Sequence, residues 1–365
     1  MPTFYQKTNL LKGLVKGDIA RIGPFYAAID LTRRCNLQCP DCQYHSPFVN
    51  KSSINHQGPL DIPVHRFEML CNELRTMGTK SLILTGEGEP FLHPRMFDLI
   101  SIAKMMGFDI ILFTNGTLLT QNKIQSFLDS GLDILKVSLW ASSPEEYKKN
   151  YPGSKPDNFE RIVDGLKLLK NMKTEINSKF PNLVLHQPIN RQNFKNIDSR
   201  IDLANTTGCN TLSFSPVWSW RKVSALSPNE MKNLYLSLTK LGKRLDSLSL
   251  KHNIHQTLLC YTIGEAVWEK MPCYIAWYHT RIRVNGNVLP CQRCDLPMGN
   301  LNEKSFTDIW NGTVYRSFRK KTLTRKGLMS FSDHCDCRFC CYAGDNMKVH
   351  RLFKWISPFL DWFKD

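Results

Sequence analysis

The chain has 365 residues, an apolar fraction of 42% and a formal net charge of +16. Such a length and apolar share exclude a disordered or fibrous chain and accommodate one large α/β domain plus a smaller module. The positive charge suits an anionic partner, yet the basic residues are spread along the chain and form no nucleic-acid-binding signature, so no nucleic acid is expected.

Residues 1–24 read as an N-terminal extension without the apolar core and cleavage site of a secretory signal. Apolar runs then alternate with amphipathic stretches. Strands are predicted at Tyr26–Leu31, Ser81–Thr85, Asp109–Thr114, Ile134–Leu139, Leu183–Gln187 and Thr211–Ser215. Helices are predicted at Val64–Met77, Pro94–Met106, Gln121–Ser130 and Asn158–Lys173. Strands and helices alternating at these lengths imply right-handed βαβ units and a parallel sheet. The expected fold is therefore α/β, a partial (β/α)6 TIM-like barrel over residues 25–225. A long helix, Ser227–Asn253, occupies the connecting segment 226–259. Within 260–346, Arg281–Val284 and Val288–Pro290 flank Asn285-Gly286 and form a hairpin signature. No solenoid repeat, low-complexity tract or apolar run of membrane-spanning length is present.

Thirteen cysteines are distributed unevenly: three lie within residues 35–42 and seven between 273 and 341. Close C-x₂-C and C-x₃-C pairs without a signal peptide read as metal ligands rather than disulfides, which points to a reducing, cytoplasmic setting. Cys71, Cys209 and Cys260 stand singly in apolar or helical surroundings and are given no role.

The first cluster, Cys35-Asn-Leu-Gln-Cys39-Pro-Asp-Cys42, follows the first predicted strand. Three thiolates on one short loop suit three corners of a four-iron cluster with the fourth iron left open. A zinc site borrowing His45 uses the same residues. A second segment, Thr85-Gly-Glu-Gly-Glu-Pro90, follows strand two. In parallel α/β folds ligands collect at these C-terminal strand ends.

Together the cysteine loop and the Gly-Glu-Gly-Glu-Pro segment resemble the radical S-adenosylmethionine (SAM) superfamily. The resemblance implies a SAM-binding [4Fe–4S] cluster on Cys35, Cys39 and Cys42, with the methionyl group of SAM on the open iron. It further implies that Gly86 and Gly88 let backbone approach the cofactor, that Glu89 lies near the SAM amine, that Ser138 meets the ribose and that Asn115 lines the pocket. The residue before the third cysteine, usually aromatic in the family, is Asp41; Tyr44 or Phe48 is expected to supply the adenine contact.

The second cluster reads C-x₁₂-G-x₄-C from Cys273 through Gly286 to Cys291, then Cys335-x-Cys337-x₂-Cys340-Cys341. It resembles the C-terminal auxiliary-cluster domains called SPASM and their shortened form, twitch. The spacing lacks the full SPASM pattern, so one auxiliary [4Fe–4S] cluster is expected on Cys273, Cys291, Cys337 and Cys340. Cys335 is an alternative to Cys337, Cys294 and Cys341 are spare, and a structural zinc ribbon remains open.

The resemblance implies reductive cleavage of SAM to a 5′-deoxyadenosyl radical, using a flavodoxin- or ferredoxin-type reductant, and hydrogen abstraction from the substrate. An auxiliary cluster suits an oxidation. Arg221, Arg281, His186 and His279 are candidate bases with no spacing to single one out. Too few residues precede strand one for a leader-peptide module, which favours a small-molecule substrate such as a sugar, cyclitol or lipid-linked group over a peptide. The alternatives are a peptide- or protein-maturing enzyme and, in another class, a non-catalytic electron carrier or sensor. The tail, 347–365, has Leu352, Phe353, Ile356, Phe359, Leu360 and Phe363 at helical spacing among basic residues. It suits docking on the barrel or peripheral contact with a membrane surface.

Overall fold

A computed structural model describes residues 3–48, 58–217, 224–335, 337 and 340–356. An N-terminal helix α1 (Phe4–Lys16) precedes six strand–helix units. These run β1 (Tyr26–Asp30), α2 (Val64–Thr76), β2 (Ser81–Thr85), α3 (Met96–Met105), β3 (Asp109–Thr114), α4 (Gln121–Ser130) and β4 (Ile134–Ser138). They continue through α5 (Pro144–Asn150), α6 (Asn158–Glu175), β5 (Asn182–Ile189), α7 (Arg200–Thr207), β6 (Thr211–Pro216) and α8 (Pro228–Ser247). A two-residue β7 (Lys251–His252), α9 (Ile254–Ile263) and α10 (Val267–Lys270) lead to β8 (His279–Ile282), β9 (Asn287–Leu289) and β10 (Gly299–Asn300). Four helices finish the described part of the chain: α11 (Phe306–Trp310), α12 (Thr313–Thr322), α13 (Arg325–Met329) and α14 (Ala343–Ile356).

Strands β1 to β7 pair in sequence order and in parallel, as the alternating pattern requires. The outer face of each strand is apolar. Leu82, Leu84, Ile110, Leu112, Leu135 and Val137 are wholly buried against helix residues such as Phe67, Leu99, Ile124, Phe127 and Ile162. Each such burial contributes about 1.5–3 kcal/mol. The opposite face, carrying Ile83, Phe113, Lys136, Ser138 and His186, is half-buried and forms the inner wall of the partial barrel.

The segment read as one long helix is interrupted. Ser227 and Glu230 form a reciprocal capping box that starts α8, but Ser249 adopts φ +54° and turns the chain into β7, which pairs with β6. A second difference concerns the C-terminal hairpin. β8 pairs in parallel with β1, so the hairpin extends the barrel sheet to ten strands, in the order β10-β9-β8-β1 and onward to β7. Its turn is also not the expected two-residue kind. Gly286 alone takes the left-handed conformation, φ +90°, and donates to the Arg283 carbonyl at 2.9 Å.

Residues 1–24 contain α1, whose Thr3–Gln6 capping box is legible only after the helix is known. Arg319 on α12 fixes this end of the molecule. It donates to the Ala276 carbonyl (2.9 Å) and to Asn311 Oδ1 (3.0 Å), and its guanidinium lies 4.5 Å from the Trp310 ring and 4.7 Å from Tyr315. Arg319→Met should leave the buried Ala276 carbonyl without this donor and remove the cation–π contacts, at a cost of about 3 kcal/mol in urea unfolding. Asn311 Oδ1 keeps the Ala20 N–H at 3.0 Å. Arg319→Lys should recover only part of it, because an ammonium cannot reproduce the planar fork.

The tail helix α14 begins at Ala343, and its Phe353 ring is 6.3 Å from Tyr274, so its described part docks on the body of the protein. Phe359, Leu360 and Phe363 lie outside the described residues. Among the described residues no helix is long and apolar enough to cross a membrane.

Candidate functional site

The loop after β1 carries Cys35, Cys39 and Cys42, and the loop after β2 runs alongside it. Gly88 donates to the Thr32 carbonyl at 3.0 Å and Glu89 to that of Arg34 at 2.7 Å, a short ladder beyond the strand ends. A Cβ on Gly88 would stand 2.0 Å from the Arg34 carbonyl oxygen, and one on Gly86 would meet the Thr32 oxygen at 3.0 Å. The glycines are thus required by the cysteine loop itself, whereas the sequence reading assigned their close approach to the cofactor.

Glu89 is buried and fully engaged. Its carboxylate accepts from Thr114 Oγ1 (2.7 Å), the Asn115 backbone N–H (2.7 Å) and that of Phe91 (3.2 Å). Burial lifts its carboxyl to about 6 against these donors. Asn115 Nδ2 in turn donates to Asn36 Oδ1 (2.9 Å), and Asn36 Nδ2 donates to Thr117 Oγ1 (2.8 Å). Asn36, between the first two cysteines, ties the cysteine loop to the β3 loop; no sequence signal marked it.

The three thiols converge. Burial raises Cys39 well above the ordinary thiol range, and the charges of Cys42 and Cys35 raise it further. Cys35 is pushed up to about 11, by burial first and then by Glu89 and Cys42. Backbone N–H groups of Tyr44 and His45 donate to the Cys42 sulfur at 3.4 and 3.3 Å. Thiols in such surroundings keep their protons until a metal displaces them.

Ser138 ends β4, and its Oγ accepts from Trp140 Nε1 at 3.0 Å. Tyr44, expected beside adenine, is engaged elsewhere: its hydroxyl accepts from Arg281 Nη2 at 3.0 Å, and Arg281 and Arg283 lie 5.7 and 5.6 Å from its ring. Asp41 is buried and Phe48 exposed. Arg281 also pairs with Asp30 of β1 at 2.7 Å, both side chains being buried, and Arg283 pairs with Glu87. The cysteine loop, the Gly-Glu-Gly-Glu loop and the C-terminal hairpin therefore share one buried ionic network.

Arg281 is committed to these partners and is excluded as a base. Burial lowers His279 to about 4, and its Nε2 meets the Tyr342 hydroxyl at 3.1 Å. His186 is held well below the ordinary range by burial and by the charge of Lys136, so it is neutral. Arg221 lies outside the described residues. Lys136, which the sequence reading passed over, is the remaining barrel-wall cation on β4.

In the second cluster, Cys273, Cys291, Cys337 and Cys340 interact electrostatically with one another, each raising its neighbours on top of the effect of burial. Cys341, the exposed spare, lies within electrostatic reach of Cys291, Cys340 and Lys136. Cys294 and Cys335, a spare and an alternative ligand in the sequence reading, form a disulfide with each other. Among the described residues no three His, Cys, Asp or Glu side chains are gathered around a point that would suit a single metal ion. Cluster ligation differs from this: each thiolate binds a different iron, three of them for the first set and four for the second.

The profile of the radical SAM superfamily matches residues 29–201, and that of the SPASM iron–sulfur cluster-binding domain matches 273–343. The chain carries a radical SAM domain followed by a SPASM iron–sulfur domain. The radical SAM domain carries a [4Fe–4S] cluster and SAM, and the SPASM domain carries auxiliary iron–sulfur. Among curated relatives, the AdoMet-dependent heme synthase of Methanosarcina barkeri is 23% identical over 340 residues, 88% of this chain and 93% of that protein. The tungsten-containing aldehyde ferredoxin oxidoreductase cofactor-modifying protein of Pyrococcus furiosus is 22% identical over 340 residues, 87% and 88% of the two chains. Among solved structures, SuiB of Streptococcus suis bound to SAM superposes with TM-score 0.62 at 16% identity, covering 81% of this radical SAM chain and 68% of SuiB. The anSMEcpe protein with bound AdoMet gives 0.65 at 15%, covering 91% and 100%. These two likenesses show a shared fold.

Proposed function

We propose that this radical SAM protein is an oxidoreductase acting on a small molecule, with one auxiliary [4Fe–4S] cluster taking part in the oxidation. The observation that carries the reading is the shared wall between the two cysteine sets. β8, which leads into the auxiliary hairpin, lies against β1, which leads into the cysteine loop, and the buried Asp30–Arg281 and Glu87–Arg283 pairs lock the two together. An auxiliary site so joined to the barrel is suited to accept an electron from a substrate held inside it.

Cys35, Cys39 and Cys42 would hold the SAM-binding cluster, and Cys273, Cys291, Cys337 and Cys340 the auxiliary one. When bound, cluster and SAM supply a 5′-deoxyadenosyl radical that removes a hydrogen atom from an unactivated carbon. The chain's own residues bind and orient. Glu89, fixed by three donors, presents its loop at a set position, and Ser138 and Asn115 line the same strand ends.

The names of the two sequence relatives, a heme synthase and a cofactor-modifying protein, favour a non-peptide substrate. A peptide remains the second reading, favoured by the fold shared with SuiB bound to its precursor peptide, TM-score 0.64. Residues 25–225 would form the barrel domain and 260–346 the auxiliary domain.

Anaerobic reconstitution with SAM and dithionite tests the reading. The wild type should contain about eight iron and eight sulfide per chain and release 5′-deoxyadenosine. Cys273→Ala with Cys337→Ala should lower iron to about four while SAM cleavage persists and product formation stops. Release of no 5′-deoxyadenosine by the fully loaded wild type would remove the enzymatic reading.

A further inference from the structure

The inner wall of the barrel holds a cation, Lys136, to which the proposed function gives no role, although the spare thiol Cys341 lies within its electrostatic reach. Lys136 occupies the middle of β4, flanked in register by Phe113 on β3 and Val184 on β5. Its outward neighbours Leu135 and Val137 pack under the helices, so the lysine side chain faces the interior. Its ammonium lies 4.8 Å from the Phe113 ring centroid, and among the described residues no carboxylate forms an ion pair with it. A cation in a half-buried wall is costly unless something meets its charge.

The surroundings are polar on one side. The His186 ring, 6.2 Å from that of Phe113, has Ser213 Oγ at 3.2 Å from Nδ1 and Ser215 Oγ at 3.3 Å from Nε2. A neutral imidazole has one donor and one acceptor nitrogen, so it orients the two hydroxyls and adds no charge. The guanidiniums of Arg281 and Arg283 are taken by Asp30 and Glu87. Among the described residues the wall thus offers one positive charge that no carboxylate pairs, with the Cys341 thiol in electrostatic reach, together with two oriented hydroxyls and an aromatic shelf. A single ammonium matches a monoanion; phosphate, carrying nearly two charges, calls for a second cation or an arginine fork.

The geometry points to Lys136 as the anchor for a carboxylate of the substrate, held against Phe113 with Ser213 and Ser215 beside it. The assignment rests on the oxidoreductase reading for its use but not for its test. Two carboxylates could reach the barrel, that of a substrate and that of SAM. The position of Lys136 inside the strand, two residues before Ser138 at the strand end, favours the substrate.

Burial lowers the Lys136 amine to about 8, which gives it a larger neutral fraction near neutral pH than an ordinary lysine. That makes it readable by brief competitive acetylation of the full-length, anaerobically reconstituted protein, with each lysine quantified by mass spectrometry. Benzoate and acetate should protect Lys136, with acetylation falling about tenfold at roughly ten times the dissociation constant, while exposed Lys167 is unchanged. Benzamide and chloride at equal concentration should not protect it. No protection by either carboxylate, equal protection by benzamide or chloride, or stronger protection by inorganic phosphate would each overturn the proposal. Protection by SAM alone that fully replaces protection by benzoate would reassign the lysine to the cofactor and overturn it as well. Release of 5′-deoxyadenosine by the same preparation is measured separately, so a failed carboxylate site and a failed radical SAM reading give different results.

Discussion

Gly88→Ala should strip the first iron–sulfur site from the protein and leave the auxiliary one in place. The added methyl would lie 2.0 Å from the Arg34 carbonyl oxygen and 2.5 Å from its carbon, and both atoms are backbone that no rotamer change can move aside. Relief requires the two loops to part. That breaks the bonds from Gly88 to Thr32 and from Glu89 to Arg34, each contributing about 1 kcal/mol net, and shifts a loop on which all three thiols depend. Iron should fall by about four per chain and 5′-deoxyadenosine release should be lost, with far-ultraviolet circular dichroism unchanged. Gly242→Ala on α8 is the control. Its methyl makes only ordinary contacts with the Ile254 side chain, the nearest at 3.5 Å, so iron content should stay at the wild-type level and stability should rise by up to about 1 kcal/mol. Full iron and full SAM cleavage in Gly88→Ala would show that the two loops do not depend on each other.

Arg281→Met should cost about 3–5 kcal/mol, because it leaves the Asp30 carboxylate buried without its partner. One Asp30 oxygen, Oδ1, already has no hydrogen-bond partner, so the remaining oxygen depends on the guanidinium. Asp30→Asn combined with Arg281→Met should lose less than the sum of the single changes, by roughly 2 kcal/mol or more, since neither charge is then stranded. Urea unfolding of the four proteins measures this. Because Arg281 also holds the Tyr44 hydroxyl, the single Arg281 variant should broaden the electron paramagnetic resonance signal of the first cluster; Arg319→Met, remote from that loop, should leave the signal alone. Additive unfolding energies would mean that the pair is not coupled in the folded protein.

Much of the fold was legible because strand and helix patterns are local. The six predicted barrel strands coincide with those observed to within two residues, since a half-apolar strand between turn residues has few other ways to bury one face. The first cysteine trio was legible for the same reason: three thiols within eight residues can meet without help from the rest of the chain. What was missed depended on partners far away in sequence. α1 was read only as an N-terminal extension, and it is held by contacts such as Gln6 Nε2 to the Gly78 carbonyl, 72 residues on. β7 is two residues long and exists only because β6 offers it an edge. For Tyr44, named with Phe48 for the adenine contact, the arginine that its hydroxyl meets comes 237 residues later, which no local pattern announces.

The sequence by itself determined the chemistry of the first cluster loop, the parallel barrel and the presence of an auxiliary iron–sulfur module, all of which rest on short-range spacing and periodicity. The tertiary structure decided which cysteines of the second group converge, why Gly88 cannot carry a side chain, and that β8 joins the auxiliary hairpin to β1. It also decided the standing of Lys136. Alternation along β4 puts that lysine on the inner face, but only the register of β3 and β5 sets Phe113 and His186 around it. Strand periodicity fixes the side of a sheet on which a residue lies; sheet order and register fix what it faces there.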